Sequence, residues 1–175
     1  MKEADWIHQS IPTSAHPLTN GDFGVRSHGH GFDWVISSVD GVTMDQFPPQ
    51  KELRLNFSGR QPEQCELLRR YIPVEPGSEY RMEWKARADQ IEIPSGLMWH
   101  MRCAGESACP TLESGDLLNG SDGIWRFRAP DSRLCVLTLD YARPTGAVTA
   151  NGTVTLSSVS ISRQRTDNSS LELKQ

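Results

Sequence analysis

Tyr80-Arg81-Met82-Glu83-Trp84-Lys85-Ala86-Arg87-Ala88 puts an apolar side chain at every second position and a charged one between each pair. Successive side chains of an extended chain point to opposite faces, so a period of two describes a strand with one face on a core and the other in water. The same pattern recurs on both sides of this stretch. Leu53, Leu55 and Phe57 alternate with Arg54 and Asn56. Leu97, Trp99, Met101 and Cys103 alternate with Met98, His100 and Arg102, and Cys135, Leu137, Leu139 and Tyr141 with Val136, Thr138 and Asp140. Val154 with Leu156, then Val159 with Ile161, predict a last strand carrying an irregularity at Ser157-Ser158. The charges at Lys85 and Arg87 suit a solvated face or the protection of a sheet edge.

Turn chemistry separates these segments: Asn20-Gly21, Asp40-Gly41, Pro48-Pro49, Glu75-Pro76-Gly77, Asn119-Gly120, Asp122-Gly123 and Asn151-Gly152. Gly and Asn tolerate the positive φ of tight turns, and Pro presets φ at the first turn position. Short strands joined by such turns imply an all-β sandwich or barrel. The best helical candidate, Gln61 to Arg70, contains Pro62 and runs into the apolar stretch at Ile72 and Val74, so it is read as strand. The expected organisation is a loose segment at 1–17, one β-sandwich domain at 18–163 and a loose tail at 164–175.

A chain of 175 residues can bury a core of ordinary size without disulfides or metal. Its 18 basic and 22 acidic residues give a formal charge of −4 and no long run of one sign. No concentrated basic surface is indicated, so neither nucleic acid nor an anionic membrane is an expected partner. No apolar run is long enough for membrane insertion as a helix. The start, Met1-Lys2-Glu3-Ala4-Asp5-Trp6, lacks the pattern of a secretory signal, which leaves a cytoplasmic protein or a piece of a longer exported chain. Of the four cysteines, Cys65 and Cys135 sit in strand patterns and read as small buried hydrophobes. Cys103 and Cys109 are near enough in sequence to close a small loop in an oxidising compartment, a pairing the sequence leaves open. No zinc-ligand spacing is present.

Leu18-Thr19-Asn20-Gly21-Asp22-Phe23, then Gly31-Phe32-Asp33-Trp34, then Val74-Glu75-Pro76-Gly77-Ser78-Glu79-Tyr80 leading into Trp84-Lys85-Ala86-Arg87-Ala88, resembles the galactose-binding-like jelly rolls. These include the xylan- and glucan-binding modules of glycoside hydrolases. The closing Asn151-Gly152-Thr153-Val154-Thr155-Leu156-Ser157-Ser158-Val159-Ser160-Ile161 is similar to their final strand, and the likeness extends from about Leu18 to Arg163. The chain also looks similar to the uncharacterised domains at the ends of bacterial repeat and surface-polysaccharide proteins. The resemblance implies a two-sheet antiparallel jelly-roll β-sandwich with Leu53, Leu55, Phe57, Tyr80, Met82, Trp84, Leu137 and Leu139 inward. Many such modules hold a structural calcium with carboxylates at places occupied here by Gly24, Ser157 and Ser158. Calcium takes several hard oxygen ligands, so no metal and no cofactor is expected.

Catalysis finds little support in the sequence. Glycoside hydrolysis needs two carboxylates across a cleft, and no Gly-x-Ser-x-Gly elbow appears. His28-Gly29-His30 lacks a third metal ligand and reads as a polar turn. Sugar binding needs an aromatic platform beside planar polar groups. Of Trp6, Trp34, Trp84, Trp99 and Trp125, the phases of Trp84 and Trp99 put them in the core, leaving Trp34 and Trp125 as platforms. His100, Arg102 and Asp140 lie opposite the core phase, and Arg69 and Arg70, beside Tyr71, join them if their strand is adjacent; ordinary solvent exposure accounts for the same charges. The expectation is a noncatalytic module of a longer exported bacterial protein that binds a polysaccharide or oligosaccharide. The alternatives are a spacer or a domain for a protein partner, and third an enzyme.

Overall fold

The computed structural model of the chain describes residues 11–105, 109–120 and 122–165. Ten strands form: β1 (Val35–Ile36), β2 (Val42–Phe47), β3 (Glu52–Ser58), β4 (Gln64–Pro73), β5 (Glu79–Asp89), β6 (Leu97–Cys103), β7 (Leu112–Asp116), β8 (Asp122–Arg128), β9 (Leu134–Ala142) and β10 (Asn151–Arg163). The only helical turn among the described residues is the 3-10 turn Pro48–Gln50. The strands make two antiparallel five-stranded sheets. Sheet I runs β1-β4-β9-β6-β7 and sheet II runs β2-β3-β10-β5-β8. The chain is thus an all-β jelly-roll sandwich, and Gln61 to Arg70 enters a strand rather than a helix.

All eight residues expected to point inward are buried, together with Ile72, Leu97, Trp99, Met101, Tyr141, Val154, Leu156 and Ile161. Trp84 meets the core in the phase its alternation predicts, and its Nε1 donates to Leu117 O at 2.9 Å. The pairing of β10 with β5 shifts register between Leu156 and Ser158, at the expected irregularity. Two further bulges are not signalled by the alternation, one between Glu66 and Leu68 on β4 and one at Met98/His100 where β6 meets β7.

Residues 11–17 differ from the loose segment expected at 1–17. Pro17 is buried, Tyr80 Oη donates to Ser14 O at 2.7 Å and Arg163 N to Ala15 O at 3.3 Å. Buried backbone and side-chain polar groups need partners, and this segment supplies them to β5 and β10. Residues 1–10, with Trp6, and 166–175 lie outside the described residues. Cys103 and Cys109 are bonded, with Cα atoms 5.8 Å apart. Cys135 is a buried free thiol and Cys65 a half-buried one.

Candidate functional site

Strand phase decides which charges meet. On sheet I the registers align Arg69 with Thr138 and Thr138 with His100, and further along Glu66 with Asp140 and Asp140 with Met98. Tyr71, Val136 and Arg102 form a third row across the same three strands. These residues share the outer face because Leu68, Arg70 and Ile72 on β4, Leu137 and Leu139 on β9, and Trp99 and Met101 on β6 are turned inward and buried. Arg69, His100, Arg102 and Asp140 are therefore brought onto one face. A shallow depression of ≈ 490 Å³ lies on it, lined among others by Glu66, Met98, His100, Arg102, Glu113 and Asp140.

The polar groups there form a connected set. Thr138 Oγ1 donates to Asp140 Oδ2 at 3.0 Å, and His100 Nδ1 approaches the same oxygen at 2.8 Å. That is a close contact in which the buried Nδ1 makes no hydrogen bond of acceptable geometry. His100 Nε2 lies 3.6 Å from Glu113 Oε1. Glu66 stands between two arginines: Arg69 Nη2 donates to it at 2.9 Å, and Arg102 Nη2 is 3.8 Å away. The Arg102 side chain is 45% exposed, so its fork is free to take another acceptor.

Burial raises the pKa of Asp140, against the opposing pull of the Thr138 hydroxyl and of His100. The unpartnered, buried Oδ1 is consistent with that cost. A carboxyl whose pKa is raised in the fold adds stability only while protonated, below its unfolded value near about 4. That contribution is lost as pH rises through the folded value. Asp140→Asn should accordingly match the parent protein in melting temperature near pH 3 and gain on it toward pH 7. A difference that stays flat across this range would show that ionised Asp140 carries no net penalty.

Three residues expected at the site stand elsewhere. Trp34 has no exposed surface. It packs on Phe23 and Trp99, with ring centroids 5.7 and 6.1 Å away, and its Nε1 donates to Asn20 O at 3.0 Å. No ring face remains for a sugar. Arg70 is also 0% exposed. It follows Arg69 directly in a strand, and adjacent side chains point to opposite faces, so the two cannot serve one surface. Its guanidinium donates to Thr19 O and Phe32 O and lies 4.8 Å from the Trp34 ring. Desolvation pulls its pKa down to about 10, opposed by Asp33, which leaves it charged at neutral pH. Trp125 belongs to β8, at the edge of the other sheet, where it is half-buried against Phe127 at 4.7 Å.

The aromatic that does stand on the outer face of sheet I is Tyr71, 38% exposed. It sits two strand spacings, about 10 Å, from Arg102. Glu66, Thr138 and Glu113 also belong to this face and were not expected there. Thr138 is signalled by alternation with Leu137 and Leu139. Glu66 is not, because counting back by twos from Ile72 turns it inward, and only the bulge restores it to the surface. Asp22 pairs with Lys51 at 2.8 Å. That pairing lowers the Asp22 pKa. His28 and His30 lie exposed in the loop before β1. Among the described residues no three His, Cys, Asp or Glu side chains are grouped to hold a metal.

Solved structures with this architecture include carbohydrate-binding modules. A structure of CBM4 aligns with a TM-score of 0.56 at 14% identity, covering 83% of this chain and 98% of that one. The BiXyn10A CBM1 in its apo form aligns at 0.51 and 16% identity over 82% of this chain and 95% of that one. The enzymatically active domain of bacteriophage CBA120 tailspike protein 4 aligns at 0.55 and 11% identity, over 86% of this chain and 22% of that one. No protein-family model matches the chain, and no curated protein matches it in sequence. The chain has the jelly-roll fold seen in these carbohydrate-binding modules. At these identities the likeness is one of fold, and a fold does not fix a function.

Proposed function

We propose that this domain is a noncatalytic carbohydrate-binding module whose site is the outer face of sheet I. The observation carrying this reading is the gathering of Glu66, Arg69, His100, Arg102, Thr138 and Asp140 on one face beside Tyr71. Carboxylates and guanidinium forks hold paired sugar hydroxyls, and an exposed tyrosine ring offers a flat surface to the apolar side of a pyranose. Preorganisation strengthens such a site. The groups are already held by one another, so little side-chain entropy is lost when a ligand arrives. The Cys103–Cys109 bond favours an oxidising compartment and so a place in a longer exported protein.

The test is a glycan array with the full chain, followed by titration of any hit against Arg102→Ala. Loss of a charge-assisted hydrogen bond worth about 1.5–3 kcal/mol should weaken binding roughly 10- to 150-fold. The melting temperature should hardly move, because Arg102 is exposed and its ion pair with Glu66 is loose at 3.8 Å. A variant that binds as tightly as the parent would place the site elsewhere. The reading as a protein-interaction domain draws on a different place. The cleft between the β5–β6 and β9–β10 loops is rimmed by Ile93 and Val148, which are 62% and 72% exposed.

A further inference from the structure

We infer that Cys103 is shared by two alternative disulfides, and that exchange from Cys103–Cys109 to Cys103–Cys135 moves the free thiol from the core to the surface, making Cys109 a latent site of thiol modification. Cys103 and Cys135 are direct partners across β6 and β9. The class of that pair follows from its flanks. Ala142 N donates to Gly96 O at 2.8 Å and Ala104 N to Leu134 O at 3.0 Å, at the two ends of the same register. Hydrogen-bonded and non-hydrogen-bonded pairs alternate along an antiparallel ladder. Gly96/Ala142 and Ala104/Leu134 are hydrogen-bonded pairs, so Cys103/Cys135, one step from the latter, is not.

Non-hydrogen-bonded pairs are the close ones, with Cα atoms about 4.5 Å apart, inside the range of about 4.4–6.8 Å that disulfides span. Both side chains face inward, at 5% and 0% exposure. Cys109 is half-buried on the other side of Cys103 and accepts from Cys103 N at 3.3 Å. The remaining thiol, Cys65, cannot compete. It pairs with Tyr141, six residues along β9 from Cys135, or about 20 Å.

The exchange needs no oxidant. The Cys135 thiolate attacks Cys103 Sγ, the Cys103–Cys135 bond forms as the Cys103–Cys109 bond breaks, and Cys109 leaves as a thiolate that takes up the proton Cys135 gave up. Burial pushes the Cys135 thiol up to about 11, which keeps the attacking thiolate scarce at neutral pH. The rate should therefore climb about tenfold per pH unit below that value.

The native full chain would be held in iodoacetamide at pH 7, 8 and 9 and its peptides mapped by mass spectrometry. Alkylated Cys109 together with a Cys103–Cys135 linked peptide, gained about tenfold faster per pH unit, is the expected result. Cys135→Ala should leave Cys109 unlabelled. Alkylation of Cys135 with Cys103–Cys109 intact, no label at Cys109, or equal labelling of Cys109 in Cys135→Ala would each overturn the inference. Because Cys135→Ala alters the core, Cys109→Ser gives a second test at a half-exposed position. Treated with oxidised glutathione, it should form the Cys103–Cys135 bond. Cys103 and Cys135 remaining unlinked would overturn the inference as well.

Discussion

Arg70→Ala is expected to lower the unfolding free energy by about 3–5 kcal/mol, the scale for stripping one partner from a buried charged network. The guanidinium has no exposed surface and ties together three parts of the chain. It donates to the carbonyl and hydroxyl oxygens of Thr19 and to Phe32 O, and covers the Trp34 ring. Asp33, 7% exposed, supports its charge. Truncation would leave the Thr19 and Phe32 carbonyls without their donor and the Asp33 carboxylate without a nearby cation, as well as a cavity. Arg70→Lys should recover only part of the loss, because an ammonium cannot reproduce the planar fork. Arg69→Ala, one residue away on the solvated face, should cost less than about 1 kcal/mol. Urea unfolding followed by tryptophan fluorescence reads all three. A loss below about 1 kcal/mol for Arg70→Ala would mean that the segment from Thr19 to Phe32 is held by other contacts.

The contrast between Arg69 and Arg70 shows what alternation can and cannot reveal. Period-two patterning locates β3, β5, β6, β9 and β10, because each buries one face and wets the other, and the hydrophobic effect then writes the phase into the sequence. It fails for β1, β2, β7 and β8. These are the edge strands of the two sheets, and β1 has only two residues; an edge strand has less surface to bury. In β8 the inward positions include Gly123, where an added Cβ would meet the Trp84 ring at 1.8 Å. A position kept bare to admit a neighbour's indole looks like a turn from sequence.

The placement of the candidate site residues is legible to the same extent as the phase. Counting from core neighbours places His100, Arg102 and Asp140 on one face, and the structure sets them there. Trp34 precedes a strand too short to carry a pattern, so nothing local declares it buried. Arg70 is legible in a different sense from the one expected: Leu68, Arg70 and Ile72 are in phase, and a charged residue in an inward phase signals an internal polar network. Asn20-Gly21 reads as a turn, since both residues tolerate positive φ. In the structure Asn20 has the positive φ, at 49°, and the glycine meets a different demand.

Gly21→Ala is expected to destabilise by about 3–5 kcal/mol, from overpacking plus the hydrogen bonds that overpacking breaks. A Cβ at Gly21 would lie 1.8 Å from Val159 O and 2.6 Å from Leu18 Cδ2. Val159 cannot yield, because β10 is the central strand of sheet II and pairs it with Trp84 of β5. The segment around Gly21 must lift instead. Lifting breaks the bond from Val159 N to Gly21 O, 2.7 Å long, and draws Asn20 O away from Trp34 and Thr19 away from Arg70. Gly21→Ala and Arg70→Ala therefore remove the same docking by different routes. Their combined effect should fall short of the sum by at least about 1 kcal/mol, the coupling expected of residues in one network. Gly115→Ala, whose Cβ would meet nothing within 4 Å, serves as the control and should change stability by about 0.5 kcal/mol or less. Strict additivity of Gly21→Ala and Arg70→Ala in urea unfolding would show that β10 and β4 grip the segment independently.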